Sequence, residues 1–191
     1  PGEVNMKKIL LLCTLLLLLS GCLSEYRLVD SQLPDKLFLN EVLNIEESFE
    51  IPENSLAVLM PNNEDSAAEM VKYYNGLKAL KQPSLIVLLK EVAAEDISGQ
   101  IVTCKKCGFQ TGLGDLLTDK ELAAKLVKDT TSKSVKELNF KQAPFIKHAF
   151  PETKVLPIAI AETASNLAMD KLIEWLDMNL PAGSLIVGEA N

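Results

Sequence analysis

The chain has 191 residues, of which 48% are apolar and 24% are charged, a composition typical of a globular protein with one sizeable core. Its formal net charge of −7 argues against a general nucleic-acid binder, because affinity for phosphates needs clustered lysine and arginine. A single histidine, His148, leaves little material for a multi-histidine metal site. We therefore expect no nucleic acid among the partners.

The first 21 residues have the organisation of a signal peptide. Met6 is the expected start of translation, and two lysines and an apolar run over 9–19 follow it. A helix of that length spans about 16 Å, too short for a bilayer core of about 30 Å. Residues 19–22, Leu-Ser-Gly-Cys, resemble the lipobox of bacterial and some archaeal lipoproteins, which carry a lipid on the cysteine.

The lipobox resemblance predicts a covalent lipid on Cys22, and we expect no cofactor in the domain. The protein would then be anchored to the membrane of the cell envelope on its extracytoplasmic side, and the membrane would be a partner through the lipid. A plain signal peptide that contains a cysteine by chance is the alternative. In both cases we treat residues 1–21 as leader and signal peptide.

The next part of the chain is acidic, with eight carboxylates against two basic residues over 23–55. We interpret residues 22–36 as an acidic, solvated tether that holds the domain away from an anionic membrane surface. Residues 37–51 contain enough apolar side chains to dock on the domain as an irregular arm or an edge strand. One α/β domain is then expected over 37–191.

Beyond the tether, short apolar runs alternate with amphipathic segments. Apolar runs bounded by turns predict buried strands, and apolar residues at three- and four-residue spacings predict helices packed on them. Predicted strands cover 55–60, 84–89, 100–104, 154–160 and 184–187, and predicted helices cover 64–80, 163–178 and a segment opened by a capping box over 118–121. This alternation predicts an α/β fold in three layers, with a mostly parallel sheet and helices on both faces.

Two stretches resemble the Memo-like family, also called AmmeMemoRadiSam system protein B. Residues 112–119, Gly-Leu-Gly-Asp-Leu-Leu-Thr-Asp, are similar to its TPLG…vD stretch, and residues 142–158 are similar to its QLPFL…FP.AKIVPI stretch. The layout of 55–89 resembles the family's opening strand, helix and strand. The resemblance implies a fold similar to class III extradiol ring-cleavage dioxygenases, with a pocket in which histidines, and in some members a cysteine, hold a metal.

The pocket histidines of the family have no match here. Asn62, Val92 and Glu137 stand where the resemblance would place them. A further family motif, Ser-Ser-Asp-x-Ser-His, would fall at 188–191, where the chain ends, so we keep a C-terminal truncation open. Because neutral imidazole is the usual ligand for transition metals, these differences predict a retained scaffold with a degenerate pocket.

Several other groups are candidates for a site. Cys104 and Cys107 form the C-x-x-C motif of the mature domain, and three interpretations stay open: a structural disulfide or turn, an inert dithiol, and a metal or redox pair. Residues 62–65 follow the first strand, and their side-chain oxygens fit either a hard cation or a helix cap. His148 lies between two phenylalanines, which favours a packed or surface residue, and Trp175 is expected in the core.

These observations favour binding over catalysis. We expect a lipid-anchored envelope protein whose degenerate Memo-like domain binds a partner protein or a small ligand, and we assign no catalytic or cofactor-binding residue. The alternative is a metal-dependent enzyme of the Memo and extradiol dioxygenase type, with a carboxylate site rebuilt from Glu64, Asp65, Glu91 and Glu137. A gene fragment without independent function is a third alternative.

Overall fold

The structure is a computed structural model that describes residues 27–30, 44–51, 57–61, 67–79 and 82–190. The strands in these ranges are β1 (Arg27–Asp30), β2 (Ala57–Pro61), β3 (Ile86–Val92), β4 (Ile101–Thr103), β5 (Cys107–Thr111), β6 (Gly114–Leu117), β7 (Lys133–Ser134), β8 (Val155–Ala161) and β9 (Leu185–Ala190). The helices are α1 (Ala67–Ala79), α2 (Lys120–Asp129), α3 (Ala143–Ala149) and α4 (Asn166–Asn179), with a 3-10 turn at Ala94–Asp96.

The larger sheet has six strands in the order β2–β9–β3–β8–β4–β7. The first four are parallel to one another, β4 runs antiparallel to β8, and β7 is parallel to β4. Along β3, Ile86 and Leu88 enter one apolar core, whereas Val87 enters the other, as the two-residue period of a strand requires. The predicted α/β fold with a mostly parallel sheet is confirmed.

Each face of the larger sheet has its own apolar core. On one face, α1 and α3 pack together with a smaller sheet, and Tyr74 and Phe109 are fully buried between them. On the other face, α2 and α4 supply Leu126 and Trp175, which is 4% exposed. The Trp175 indole N–H donates a hydrogen bond to the Asp129 carboxylate at 3.4 Å, which links these two helices. The described helices thus lie on both faces, and Trp175 is a core residue as predicted.

The smaller sheet, in the order β1–β5–β6, is absent from the sequence prediction. β5 and β6 form a hairpin closed by Gly112 and Leu113, and the next residue, Gly114, has a φ of 109°, a conformation that favours glycine. β1 pairs in parallel with β5, with Arg27 opposite Cys107. Part of the segment interpreted as a tether is therefore a strand of the folded domain.

The start of α2 differs by one residue from the prediction. The sequence predicts a capping box that begins at Thr118, but the cap is Asp119, whose carboxylate accepts a hydrogen bond at 3.0 Å from the amide of the third residue after it. The backbone of Thr118 forms a β-bridge with Val155, which keeps Thr118 extended and delays the helix. Ser165 caps α4 in the same way, so that helix also begins later than predicted.

Residues 44–51 lie along α1 without forming a strand. Asn75 donates side-chain hydrogen bonds to two backbone carbonyls of this segment, at 2.7 and 3.0 Å, and the Phe49 amide donates to the carbonyl of Lys72 at 3.1 Å. The approach is so close that a Cβ at Gly76 would overlap the Phe49 carbonyl oxygen. This part of the predicted arm therefore docks as irregular chain.

Candidate functional site

A cavity of about 420 Å³ lies at the carboxyl ends of the parallel strands β9, β3 and β8. Open α/β sheets bind ligands outside this edge, and the volume is in the range of small-molecule sites. Its lining includes Glu91, Glu162 and Glu189, and Lys90 is the one cation among the described lining residues. We call it the acid-lined cavity.

The rest of the acid-lined cavity is largely apolar. Leu59 and Leu89 come from two strands, and Met169 comes from α4. Leu59 is 71% exposed, which is unusual for a large apolar residue of a strand and leaves its side chain open to a ligand. Gly188 leaves space in the cavity beside Leu59, because a Cβ at this position would lie 3.1 Å from the Leu59 side chain. An apolar wall with a few charged groups is the ordinary composition of a small-molecule site.

Two charged residues of this edge, Glu189 and Lys90, occupy opposite positions in the β9–β3 register. The Glu189 carboxylate accepts a hydrogen bond from the backbone amide of Gln142 at 3.0 Å. The Lys90 ammonium donates to the Asn139 carbonyl at 2.6 Å and lies 5.1 Å from the centre of the Phe140 ring. The segment before α3 is therefore attached to the sheet edge through these two side chains, which gives both of them a structural role.

Burial shifts the pKa values of these groups in opposite directions. Glu189 is 6% exposed, and burial raises the pKa of its carboxyl against the opposing effects of the Gln142 amide and the Lys90 charge. Burial also lowers the pKa of the Lys90 ammonium, against the attraction of Glu189. Tyr74 donates its hydroxyl to the Gln142 side chain at 3.0 Å, and burial, followed by the charge of Glu189, raises its pKa. The shared cause of these three shifts is burial at the packed edge of the sheet.

A second cavity, of about 550 Å³, lies beside the turn between Cys104 and Cys107. Among the residues that line it, none of those described carries a carboxylate. Four of them are lysines: Lys105, Lys106, Lys120 and Lys136. We call this cavity the lysine groove.

Cys104 and Cys107 are joined in a disulfide, with their Cα atoms 5.5 Å apart. Both residues are at most 1% exposed. Of the three interpretations left open by the sequence, the structural disulfide is the one the structure has. The metal-binding form of cysteine is the thiolate, and a disulfide-bonded pair holds its sulfur atoms in the oxidised form instead.

Of the predicted pocket positions, the two that the structure describes, Val92 and Glu137, line neither the acid-lined cavity nor the lysine groove. Cys22 and residues 62–65 lie outside the described part of the chain. Val92 is partly buried against the core on the α1 face, and Glu137 is exposed. Of the carboxylates considered for a rebuilt site, Glu91 does line the acid-lined cavity. Within the described ranges, no group of three or more histidine, cysteine or acidic side chains could hold a metal ion.

His148 lies on α3 and lines neither cavity. It is half-buried, and burial, followed by the positive charge of Lys78, lowers the pKa of its imidazole. The predicted packed or surface position is confirmed. In the part of the chain that the structure describes, no helix combines the length and the apolar character needed to cross a membrane.

No sequence motif marks Lys90 or Glu189 as a residue of this site. Lys90 comes directly after the predicted strand 84–89, and Glu189 comes shortly after the predicted strand 184–187. Both residues could have been found as charged residues at the carboxyl end of a buried strand, because ligands bind at that edge of a parallel sheet.

Comparison of the chain with protein-family models and with curated proteins finds no match.

Proposed function

We propose that this protein is a lipid-anchored binding protein of the cell envelope, and that its α/β domain holds a small organic ligand with a positively charged group. The observation that carries this proposal is the acid-lined cavity, where the exposed acids Glu91 and Glu162 lie beside an apolar floor at the carboxyl ends of parallel strands. The carboxylates attract a cation, and the apolar wall favours a ligand with a hydrocarbon part.

Binding rather than catalysis is supported by how the charged groups are held. Glu189 accepts a hydrogen bond from the Gln142 amide, and Lys90 donates one to the Asn139 carbonyl. These two charges therefore hold the edge of the sheet in place, and the exposed acids Glu91 and Glu162 are the lining groups that would attract a cationic ligand. A stoichiometric metal in the purified chain, measured by mass spectrometry, would favour the alternative of a metal-dependent enzyme with a rebuilt carboxylate site.

The envelope location is proposed from the lipobox over 19–22, with the membrane as partner through a lipid on Cys22. The Cys104–Cys107 disulfide supports it, because disulfides persist in oxidising compartments outside the cytoplasm. No nucleic-acid partner is proposed for a chain with a net charge of −7.

We further propose that the domain is a degenerate member of the Memo-like family, with the finer architecture of the class III extradiol dioxygenases. The mostly parallel sheet between helices is the coarser architecture that this membership requires. The matched stretch 112–119 runs from the β5–β6 turn to the cap of α2, and the matched stretch 142–158 covers α3 and the first half of β8. A family structure with a different strand order would contradict the proposal.

The ligand is tested with three probes of equal length: hexylammonium, hexanol and hexanoate. Binding to the full chain is followed by ligand-observed NMR. We expect hexylammonium to bind best, and we expect Glu91→Gln with Glu162→Gln to weaken it about tenfold, since two attractive charges are removed. The matched control is Glu121→Gln with Glu152→Gln, two exposed acids outside the cavity, which should leave the affinity unchanged. Equal binding of all three probes would contradict the proposal.

The lipid anchor is tested by metabolic labelling with palmitate in a bacterial host. The wild-type chain should incorporate the label and partition into detergent, whereas Cys22→Ser should do neither. Cys13→Ser is the matched control, because this cysteine lies inside the apolar run rather than at the end of the lipobox. A Cys22→Ser chain that keeps the label would overturn the anchor.

A further inference from the structure

The lysine groove is a site that the proposed function does not use. Lys105 and Lys106 form the turn enclosed by the disulfide, and Lys136 lies just after β7. These cations converge on one cavity of a chain whose net charge is −7. Gathering like charges is electrostatically unfavourable by itself, and a cleft lined by one sign of charge concentrates counter-ions of the other sign.

The wall of the groove between the ammonium groups is apolar. Val135 and Ala124 line it, and Cys104 contributes the edge of the disulfide. Lysine side chains add methylene stems, which cover apolar surface while the ammonium group reaches water. The groove therefore has an apolar floor and a cationic rim.

We propose that the lysine groove binds an amphipathic anion, a molecule with a phosphate or carboxylate head on an apolar body. The head lies against Lys105, Lys106 and Lys136, and the body contacts Ala124 and Val135. A volume of about 550 Å³ accommodates a head group together with a short hydrocarbon body. Inorganic phosphate has the charge without the apolar contacts, so it binds more weakly than the amphiphile.

Two sources provide this chemistry: an anionic phospholipid of the membrane and a free anionic amphiphile. The first arm of the experiment uses a soluble lipid. The full chain is titrated by calorimetry with dioctanoyl phosphatidylglycerol below its micelle-forming concentration, and with dioctanoyl phosphatidylcholine and inorganic phosphate for comparison. We expect the phosphatidylglycerol to bind best, because it combines a net negative head with an apolar body. Added salt should weaken it by screening the lysines.

The variant that tests the groove and its control differ only in position. The groove variant combines Lys105→Gln, Lys106→Gln and Lys136→Gln, and the control variant makes the same change at three exposed lysines outside the groove: Lys78, Lys128 and Lys171. We expect affinity for the soluble phosphatidylglycerol to fall about tenfold or more in the groove variant and to stay within about twofold in the control. Equal affinity in wild type and groove variant, or an equal loss in the control, would overturn the proposal.

The second arm uses phosphatidylcholine vesicles with and without phosphatidylglycerol. Because an apolar run such as 9–19 is expected to bind vesicles by itself, only the difference between the groove variant and the control variant is informative. If the groove variant loses the phosphatidylglycerol-dependent part of vesicle binding, the source is the membrane. If only the soluble arm responds, the source is a free amphiphile. Both results support the groove as the site.

Ala124 provides an independent variant on the groove wall. Ala124→Glu introduces a negative charge at an exposed position of α2, so it should weaken the soluble phosphatidylglycerol more than Ala124→Gln, which has the same size without the charge. Thermal melts establish that both variants fold. Equal affinities of the two would contradict the proposal, and a failure of the hexylammonium test would leave it standing, since that probe reports on the other cavity.

Discussion

The acid-lined cavity and the lysine groove differ in the structural elements that carry their charges. The first takes Lys90 and Glu189 from two neighbouring parallel strands, where burial shifts the pKa values of both. The second takes Lys105 and Lys106 from a turn, and Lys106 is exposed. Changing the charges on the strands should therefore alter the stability of the fold. The charges on the turn can bind a ligand at little cost in stability.

The largest expected effect is on the strand charges. Glu189→Ala leaves the buried Gln142 amide without its acceptor, so we expect the free energy of unfolding to fall by about 3 kcal/mol. Glu189→Gln keeps an acceptor and should lose much less. On the groove side, Lys136→Ala should change stability by no more than about 0.5 kcal/mol. Urea denaturation measures the free energy of unfolding of all three variants. Similar losses for Glu189→Ala and Lys136→Ala would contradict the difference in stability between strand charges and groove charges.

Removing the disulfide should affect ligand binding in the lysine groove but not in the acid-lined cavity. Replacing Cys104 and Cys107 by alanine removes a short covalent loop, and we expect the free energy of unfolding to fall by about 2 kcal/mol. Affinity for soluble phosphatidylglycerol should also fall, because the turn that carries Lys105 and Lys106 loses its constraint. Hexylammonium binding should not change. A matching loss for hexylammonium would show that the two cavities are not independent.

Filling the acid-lined cavity should remove binding without loss of stability. In Gly188→Val the new side chain occupies the floor beside Leu59, which is exposed and free to turn away. We expect hexylammonium affinity to fall about tenfold and stability to change by less than about 1 kcal/mol. Gly112→Val is the matched control, because a Cβ at Gly112 meets nothing within 4 Å. Unchanged hexylammonium binding in Gly188→Val would place the ligand elsewhere.

The smallest effect concerns pH. Because burial raises the pKa of Glu189 above its ordinary value of 4.5, the folded chain binds a proton more tightly than the unfolded chain at this carboxyl. Its contribution to stability should therefore decline as pH rises from 4.5 through the raised pKa, and Glu189→Gln should lack that decline. Urea midpoints across this range measure it. A wild-type curve parallel to that of Glu189→Gln would contradict the shift.

Much of the architecture could be predicted from the sequence. Continuous apolar runs such as 84–89 marked the buried strands, and the helical spacing that includes Trp175 marked a buried face. The smaller sheet could not be predicted, because β5 and β6 are short and contain glycines. Its third strand, β1, pairs with a partner that lies far along the chain.

The candidate site was less predictable than the fold. The C-x-x-C spacing allowed a disulfide, a dithiol or a metal pair, and the choice among them needed the relative positions of two sulfur atoms. Val92 and Glu137 were selected through the family resemblance, and neither lines the acid-lined cavity or the lysine groove. Lys90 and Glu189, which do, carry no local signature beyond their place at the ends of strands.

The alternation of strands and helices follows from apolar periodicity among neighbouring residues, and the net negative charge follows from composition, so both can be read without a structure. By contrast, the folded arrangement places Lys90 opposite Glu189, and it brings lysines from a turn, a helix start and a strand end into one groove. These neighbours are distant in the chain, and their proximity depends on strand order and register, which no local pattern specifies.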